Sequence, residues 1–357
     1  MYCLRNLQYA RIPNDIIKLY TELYPFVGRN QTMLKTVSKD LDTLIAETVR
    51  LDTYYFAMLF NLELPESRFR GILSKGVQAK NKTERFVRNV KQAFTKIHQE
   101  TETFMLNSTE IFDMLRFLYR EVEPASHLQF AKTEKKRDKT TDLLSSSNPT
   151  KREALDQLCK TFLNAQEKSD FETAFIAVNF YIDFINLRPF VNHNKPLGLM
   201  LLYILLIDSS FKSLHLASFF ELLYKQSNKL EKLTKDASHN WGEGLADVMS
   251  LHRFLVQRLL ESYQGLHELL RNYTFDQQTN KSDYIENTIN KLDEVFTKEE
   301  IRAQHPTISD STINRTLKRL RDEKKIRPLG KGRSAKWMKL YQSPKKPSIY
   351  EQIKLKV

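Results

Sequence analysis

Several things are scarce in this sequence, and each scarcity excludes something. Two cysteines in 357 residues, Cys3 and Cys159, cannot build a disulfide framework, and they match neither metal-ligand nor redox spacing. A reducing compartment, the cytoplasm, is the expectation. Only 9 glycines and 11 prolines are present, which excludes collagen-like and linker-like composition. No Gly-rich dinucleotide fingerprint and no internal repeat is found. No apolar run approaches the ~20 residues that span a bilayer. The longest, Pro196 to Ile207, has the length of a buried core helix and carries Tyr203 within it. The opening Met-Tyr-Cys-Leu-Arg-Asn lacks a charged start followed by an apolar run, so neither export nor a membrane partner is expected.

Hydrophobic residues, by contrast, make up 41% of the chain, the composition of a packed globular protein with more than one domain. The net charge is +13, and its placement is uneven. Residues 281–357 hold 19 Lys/Arg against 10 Asp/Glu, about a fifth of the chain carrying most of the excess. Concentrated positive charge attracts polyanions, so the expected partner of this end is duplex DNA or another polyanion.

Apolar residues at helical spacing recur through Ile16, Ile17, Leu19 and Tyr20, then Leu41, Leu44, Ile45 and Val49. After Pro65 the pattern resumes from Thr83 to Phe104 and from Ile111 to Val122. Residues 1–122 therefore read as an N-terminal helical region. Residues 123–148 cluster Pro, Ser, Lys and Asp around one extended stretch, His127 to Ala131, and read as a flap or loop with a small hairpin. Residues 149–275 return to helices, with a polar linker after them. The fold class expected is mainly α: a helical bundle with a small β flap, followed by a compact C-terminal domain and a basic tail at 342–357.

That C-terminal domain, 281–341, carries the sharpest local signals. Ile285, Ile289, Leu292 and Val295 form one helical face. Thr297 followed three residues later by Glu300 is a capping box for a second, short helix. Ser309 caps a third helix whose inward face is Ile313, Leu317 and Leu320. Its outward face presents Ser311, Asn314, Arg315, Lys318 and Arg319, groups that reach phosphates and base edges. Two short strands then flank a glycine-containing tip with Lys331, Arg333 and, on the return, Lys336. Helix, short helix, basic helix and basic hairpin in this order read as a winged helix, with those eight residues as its DNA-binding set. A protein contact through the same surface stays open.

The loop before the most apolar helix has a different interest. Pro189, Phe190, Asn194 and Gly198 match, at the right spacing, the signature of the Fic/Doc (Fido) family: His-Pro-Phe, any residue, Asp or Glu, Gly-Asn-Gly-Arg, any residue, Gly-Arg. Ser147-Asn148-Pro149 with the following Ala154 to Leu158, and Leu214 to Tyr224 followed by Asn240-Trp241, resemble the regions flanking that motif. The resemblance covers roughly residues 30–340, including the trailing winged helix. It implies a Fic-like helical bundle and, in active members, transfer of AMP from ATP to a protein hydroxyl with Mg²⁺ as cofactor.

At the positions that carry this chemistry the chain differs. Arg188 stands for the general base, Asn192 for the metal-binding carboxylate, His193 and Lys195 for two glycines, and Pro196 and Leu199 for the arginines. A guanidinium stays protonated and cannot take a proton. Asn192 is neutral, and Pro196 removes both a cation and a backbone donor. His193 and Lys195 lack the backbone freedom of glycine. His193, with no carboxylate nearby, reads as a surface residue; Asn194 caps the helix that Pro196 begins. Glu63, the nearest match to the family's inhibitory glutamate, reads as ordinary. The expectation is thus a catalytically degenerate Fic-like protein without cofactor or metal, acting through its winged helix on nucleic acid or as a protein scaffold. The alternative is an adenylyltransferase or nucleotide-binding protein with a divergent loop. The sequence leaves the oligomeric state open.

Overall fold

The structure, a computed structural model, describes residues 3–34, 40–99, 104–133, 149–168, 170–209, 211–276, 281–306, 308–330 and 335–340. The chain divides into two units, residues 1–35 with 45–268, and residues 36–44 with 269–357.

The first unit is a helical bundle. Its helices are α1 Asn14–Leu34, α2 Leu41–Leu59, α3 Glu66–Lys75, α4 Lys82–Gln99, α5 Ser108–Leu118, α6 Lys151–Lys168, α7 Thr173–Leu187, α8 Asn194–Ser209, α9 Phe219–Tyr224, α10 Ser227–Ala237 and α11 Met249–Asp276, residues 41–44 of α2 and 269–276 of α11 being counted with the second unit. A helix that is apolar all round must be buried all round. Accordingly, every residue of α7 from Ala174 to Phe184 is buried, and so is α8 from Leu197 to Ile207. The two pack on each other at the centre. Gly198 permits their close approach, because a Cβ there would lie 3.0 Å from side-chain atoms of Ile185 and Phe184.

Two buried carboxylates tie distant segments to this core. Asp183 accepts hydrogen bonds from the backbone N–H of Cys3 and Leu4, both at 3.0 Å, and from Trp241 Nε1 at 2.7 Å. Asp52 accepts from Ser218 Oγ at 2.6 Å and from the Phe220 N–H at 3.1 Å, and lies 2.9 Å from the Tyr203 hydroxyl. Desolvation lifts the Asp52 carboxyl to about 7, against the pull of those donors. Tyr203 also lies 3.3 Å from His98 Nε2, and His98 Nδ1 is 2.8 Å from His215 Nδ1, so α2, α4, α8 and the residues before α9 share one buried network.

The second unit contains α12 Lys281–Lys291, β1 Val295–Thr297, α13 Lys298–Gln304, α14 Asp310–Asp322, β2 Ile326–Pro328 and β3 Lys336–Lys339. The strands form an antiparallel sheet in the order β1-β3-β2. Phe296 pairs with Trp337, and Arg327 with Met338. Ile285, Ile289, Phe296, Ile301, Ile313, Leu317 and Ile326 make its core. The expected class, mainly α with a small β component, is the one found.

Several local expectations need correction. Helix α3 was not anticipated; Pro65 begins it, since its missing N–H costs nothing at a helix start. Val295 does not continue the α12 face. It lies in β1, 37% exposed, because Phe296 beside it is drawn into the core. The stretch at 127–131 forms no hairpin among the described residues. Ala125–His127 is one turn of 3-10 helix, and Phe130 bridges instead to Phe190, with the Ala131 N–H on the Pro189 carbonyl (2.8 Å) and the Val191 N–H on the Gln129 carbonyl (3.0 Å). Residues 134–148 of the flap and the tail at 342–357 lie outside the described residues.

Candidate functional site

Two places carry candidate chemistry, the loop between α7 and α8 and the outward face of α14. In the loop, α7 ends at Arg188, whose backbone is left-handed (φ +48°) and whose side chain is exposed. Lys151 Nζ on α6 satisfies the Leu187 carbonyl at 2.6 Å, one of the orphan acceptors at that helix end. Pro189 and Phe190 are buried, and Phe190 stands among Phe112, Phe130 and Phe184.

Asn194 closes the loop on itself. Its Oδ1 accepts from the Phe190 N–H at 3.0 Å and its Nδ2 donates to the Phe190 carbonyl at 2.7 Å. The Asn194 side chain is thus spent on the Phe190 backbone rather than on the first N–H groups of α8, the cap expected of it, and α8 begins at Asn194, two residues before Pro196. Proline is still tolerated there, because the first-turn N–H groups have no partner within the helix. Asn192 and Lys195 are exposed.

The expectation for His193 is overturned. A carboxylate does lie nearby: Glu123 Oε1 is 2.9 Å from His193 Nε2. The imidazole also stacks on the buried Tyr119 ring, centroids 3.6 Å apart and planes within 20°. Moreover, His193 takes a left-handed backbone (φ +65°), the conformation that glycine adopts without cost. Lys195 has no positive φ and makes no such demand. Sequence reasoning missed Tyr119, Glu123 and Lys151. None is adjacent to the loop in the chain, and no spacing could have linked them to it.

The α14 face is built from its own N-terminus. Ser309 Oγ accepts from the Thr312 N–H at 3.3 Å, and the Thr297 and Glu300 capping box starts α13. Asp310 pairs with Arg302 at 2.9 Å, which sets α13 against α14. With Ile313, Leu317 and Leu320 turned into the core, Ser311, Asn314, Arg315 and Lys318 are exposed together, one and two turns apart. Arg315 and Lys318 have no ion pair among the described residues. Arg319 differs. It binds Glu286 on α12 at 2.7 Å and Glu323 at 2.9 Å, and these bonds hold its guanidinium even more firmly protonated. Lys325 joins the same cluster through Glu286 at 2.5 Å. Lys336 is exposed on β3, whereas Lys331 and Arg333 lie outside the described residues.

No family model matches this chain, and no curated protein matches its sequence. Its fold does have relatives. A Fic family protein from Desulfovibrio desulfuricans G20 superposes with a TM-score of 0.55 at 12% identity, over 94% of this chain and 98% of that one. A Fic-domain-containing signaling protein from Bacteroides thetaiotaomicron VPI-5482 gives 0.52 at 13% identity, covering 72% and 97%. A variant of Fic-1 from C. elegans gives 0.51 at 17%, covering 75% and 81%. The chain has the Fic fold. Among the described residues no helix is long and apolar enough to cross a membrane, and no three metal-ligating side chains converge.

Proposed function

We propose that this chain is a Fic-fold protein whose motif loop has lost adenylyl transfer, and that its second unit is a winged helix that binds duplex DNA. The observation that carries the reading is the exposed row of Ser311, Asn314, Arg315 and Lys318 on α14, with both cations free of ion pairs among the described residues. Cations held by carboxylates contribute little to an external anion; these two are available to phosphates. Lys336 on β3 extends the positive surface, and Lys331 and Arg333 belong to the same hairpin in sequence. Arg319 belongs to the internal clamp rather than to the contact set.

Loss of transfer follows from the residues at the reacting positions. Arg188 cannot accept a proton, and general-base catalysis supplies about 10²–10⁴-fold. Asn192 offers Mg²⁺ no charge. The loop itself is held by internal bonds: Asn194 to the Phe190 backbone and His193 to Glu123.

Fluorescence anisotropy with a labelled 20-base-pair duplex tests the first part. Binding weakens as salt rises, and Arg315→Ala with Lys318→Ala lowers the salt dependence by about one unit of slope per lost phosphate contact. Equal binding by that double variant would remove α14 as the contact surface.

One observation favours a second reading, in which the loop still binds or transfers a nucleotide. The backbone is left-handed at 188 and 193, and His193 has an orienting carboxylate in Glu123. Incubation with radiolabelled ATP, Mg²⁺ or Mn²⁺ and a lysate decides between them. Label transfer that disappears in Asn194→Ala and His193→Ala supports the second reading, and absence of both transfer and ATP binding ends it.

A further inference from the structure

The exposed side of α4 bears cations that neither the motif loop nor α14 uses. Between α4 and residues 76–79 lies a groove of about 490 Å³. Helix α3 ends at Gly76, in left-handed conformation (φ +64°), and the chain turns back with the Val77 N–H on the Gly71 carbonyl at 3.1 Å. That turn leaves Ile72, Val77 and Ala79 along one side of the groove, with Val77 39% exposed. Arg88, Lys91 and Lys96 line the other, and no carboxylate lines it among the described residues.

The positive charge of Arg88 and Lys91 is poorly offset. Lys91 Nζ donates to the Leu73 carbonyl at 2.6 Å, a neutral partner. Burial lowers its pKa with no carboxylate working against that cost. Arg88 shares Glu121 at 3.1 Å, a half-exposed pair of small strength. The other nearby acid, Glu84, is consumed by Arg68 at 2.6 Å and the Lys80 N–H at 2.7 Å, which hold its carboxyl down to about 2. Arg120 reaches the rim through its bond to Gln92 Oε1 (3.1 Å), adding positive field.

We propose that this groove binds a segment of a partner protein that presents an apolar side chain flanked by carboxylates. An apolar group answers Val77 and Ala79, carboxylates answer Arg88 and Lys96, and the Gln78 and Thr95 side chains offer hydrogen bonds to a peptide backbone. A nucleic-acid backbone has charge for the cations and nothing for the apolar side. A small metabolite needs most of its surface enclosed. Here Gln78, Gln92 and Lys96 are exposed and the groove lies open along its length.

The test is selection of a random dodecapeptide phage library on the immobilised full chain, with counter-selection on two variants, Arg88→Glu with Lys96→Glu, and Val77→Asp. Enriched sequences are expected to combine Asp or Glu with Leu, Ile, Phe or Met. A synthetic peptide of the leading sequence should lose at least tenfold in affinity on each variant, weaken with salt, and bind Arg315→Ala with Lys318→Ala unchanged. Lys96→Ala, a milder change at an exposed site, should give a partial loss at an unchanged melting temperature, which separates contact from misfolding. The proposal is overturned if no acidic-apolar sequence is enriched, or if the peptide binds the variants equally well. It is also overturned if a twelve-nucleotide DNA strand or AMP displaces the peptide at matching concentration, since the groove would then be a general anion site.

Discussion

Nε2 of His193 lies 2.9 Å from Oε1 of Glu123, seventy residues earlier in the chain, and the imidazole stacks on Tyr119 one turn before it. The position is one where the family signature has glycine. A left-handed backbone at a residue with a side chain costs about 1–2 kcal/mol. The stacked ring and the hydrogen bond offset that cost, which is how the turn persists without glycine.

His193→Ala removes stack and hydrogen bond and keeps the backbone strain, so unfolding free energy should fall by about 1–2 kcal/mol in urea titration. His193→Gly removes the strain as well and should be the more stable of the two by about 1 kcal/mol. If alanine and glycine prove equal, the left-handed turn is not what the imidazole supports.

Asp52 makes stability depend on pH in a definite direction. Its folded pKa, about 7, stands above the ordinary carboxylate value of 3.8, so between these values the folded state holds a proton that the unfolded state has released. Its contribution is fully present below 3.8 and declines as pH rises through 7. Asp52→Asn should lose that decline, so the difference from wild type measured in denaturant series at pH 4, 5.5 and 7 should shift in favour of the variant as pH rises. A constant difference would mean that Asp52 is ionised throughout.

Three buried histidines act the other way. His98 and His252 are pushed by burial to about 3, and His305 to about 4, from 6.5. Between those values the unfolded chain binds protons that the folded one refuses, so their contribution is present above 6.5 and is lost as pH falls. In the second unit His305 sits 2.7 Å from Thr288 Oγ1. His305→Gln should therefore flatten the acid side of that unit's unfolding, followed by Trp337 fluorescence in a Trp241→Phe background, and an unchanged acid limb would refute the assignment.

Arg319 and Arg315 should separate stability from binding. Arg319→Ala breaks the bridge from α14 to Glu286, and partly exposed ion pairs of this kind are worth about 1 kcal/mol or less. A small drop in melting temperature with DNA affinity changed less than twofold is expected, whereas Arg315→Ala should do the reverse. Comparable loss of affinity in both would return Arg319 to the contact face.

Thr297→Ala tests the capping box that starts α13. The Thr297 side chain accepts from the Glu300 N–H and the Glu300 carboxylate accepts from the Thr297 N–H, at 3.2 and 2.8 Å. Loss of such a cap costs about 1 kcal/mol, measurable as a lowered unfolding midpoint of the second unit.

Much of this molecule is legible along the chain because local physics wrote it there. The apolar run around Leu197 to Ile207 had to be buried, the capping residues Thr297 and Ser309 had to start helices, and Ile313, Leu317 and Leu320 had to face inward, leaving Arg315 and Lys318 outside. The four matched positions, Pro189, Phe190, Asn194 and Gly198, pointed to the Fic fold because their spacing is read within ten residues, although Phe190 packs on Phe112 and Phe130 far away in the chain. What only the tertiary structure decided are the pairings across long sequence separations. Glu123 meets His193, Asp183 receives the N–H groups of Cys3 and Leu4, Phe130 bridges to Phe190, and Glu286 claims Arg319. A charged or polar residue reveals its type in the sequence but not its partner. The partner depends on which helices the apolar core brings together, and that choice separates a cation that clamps the fold from one that is free to bind.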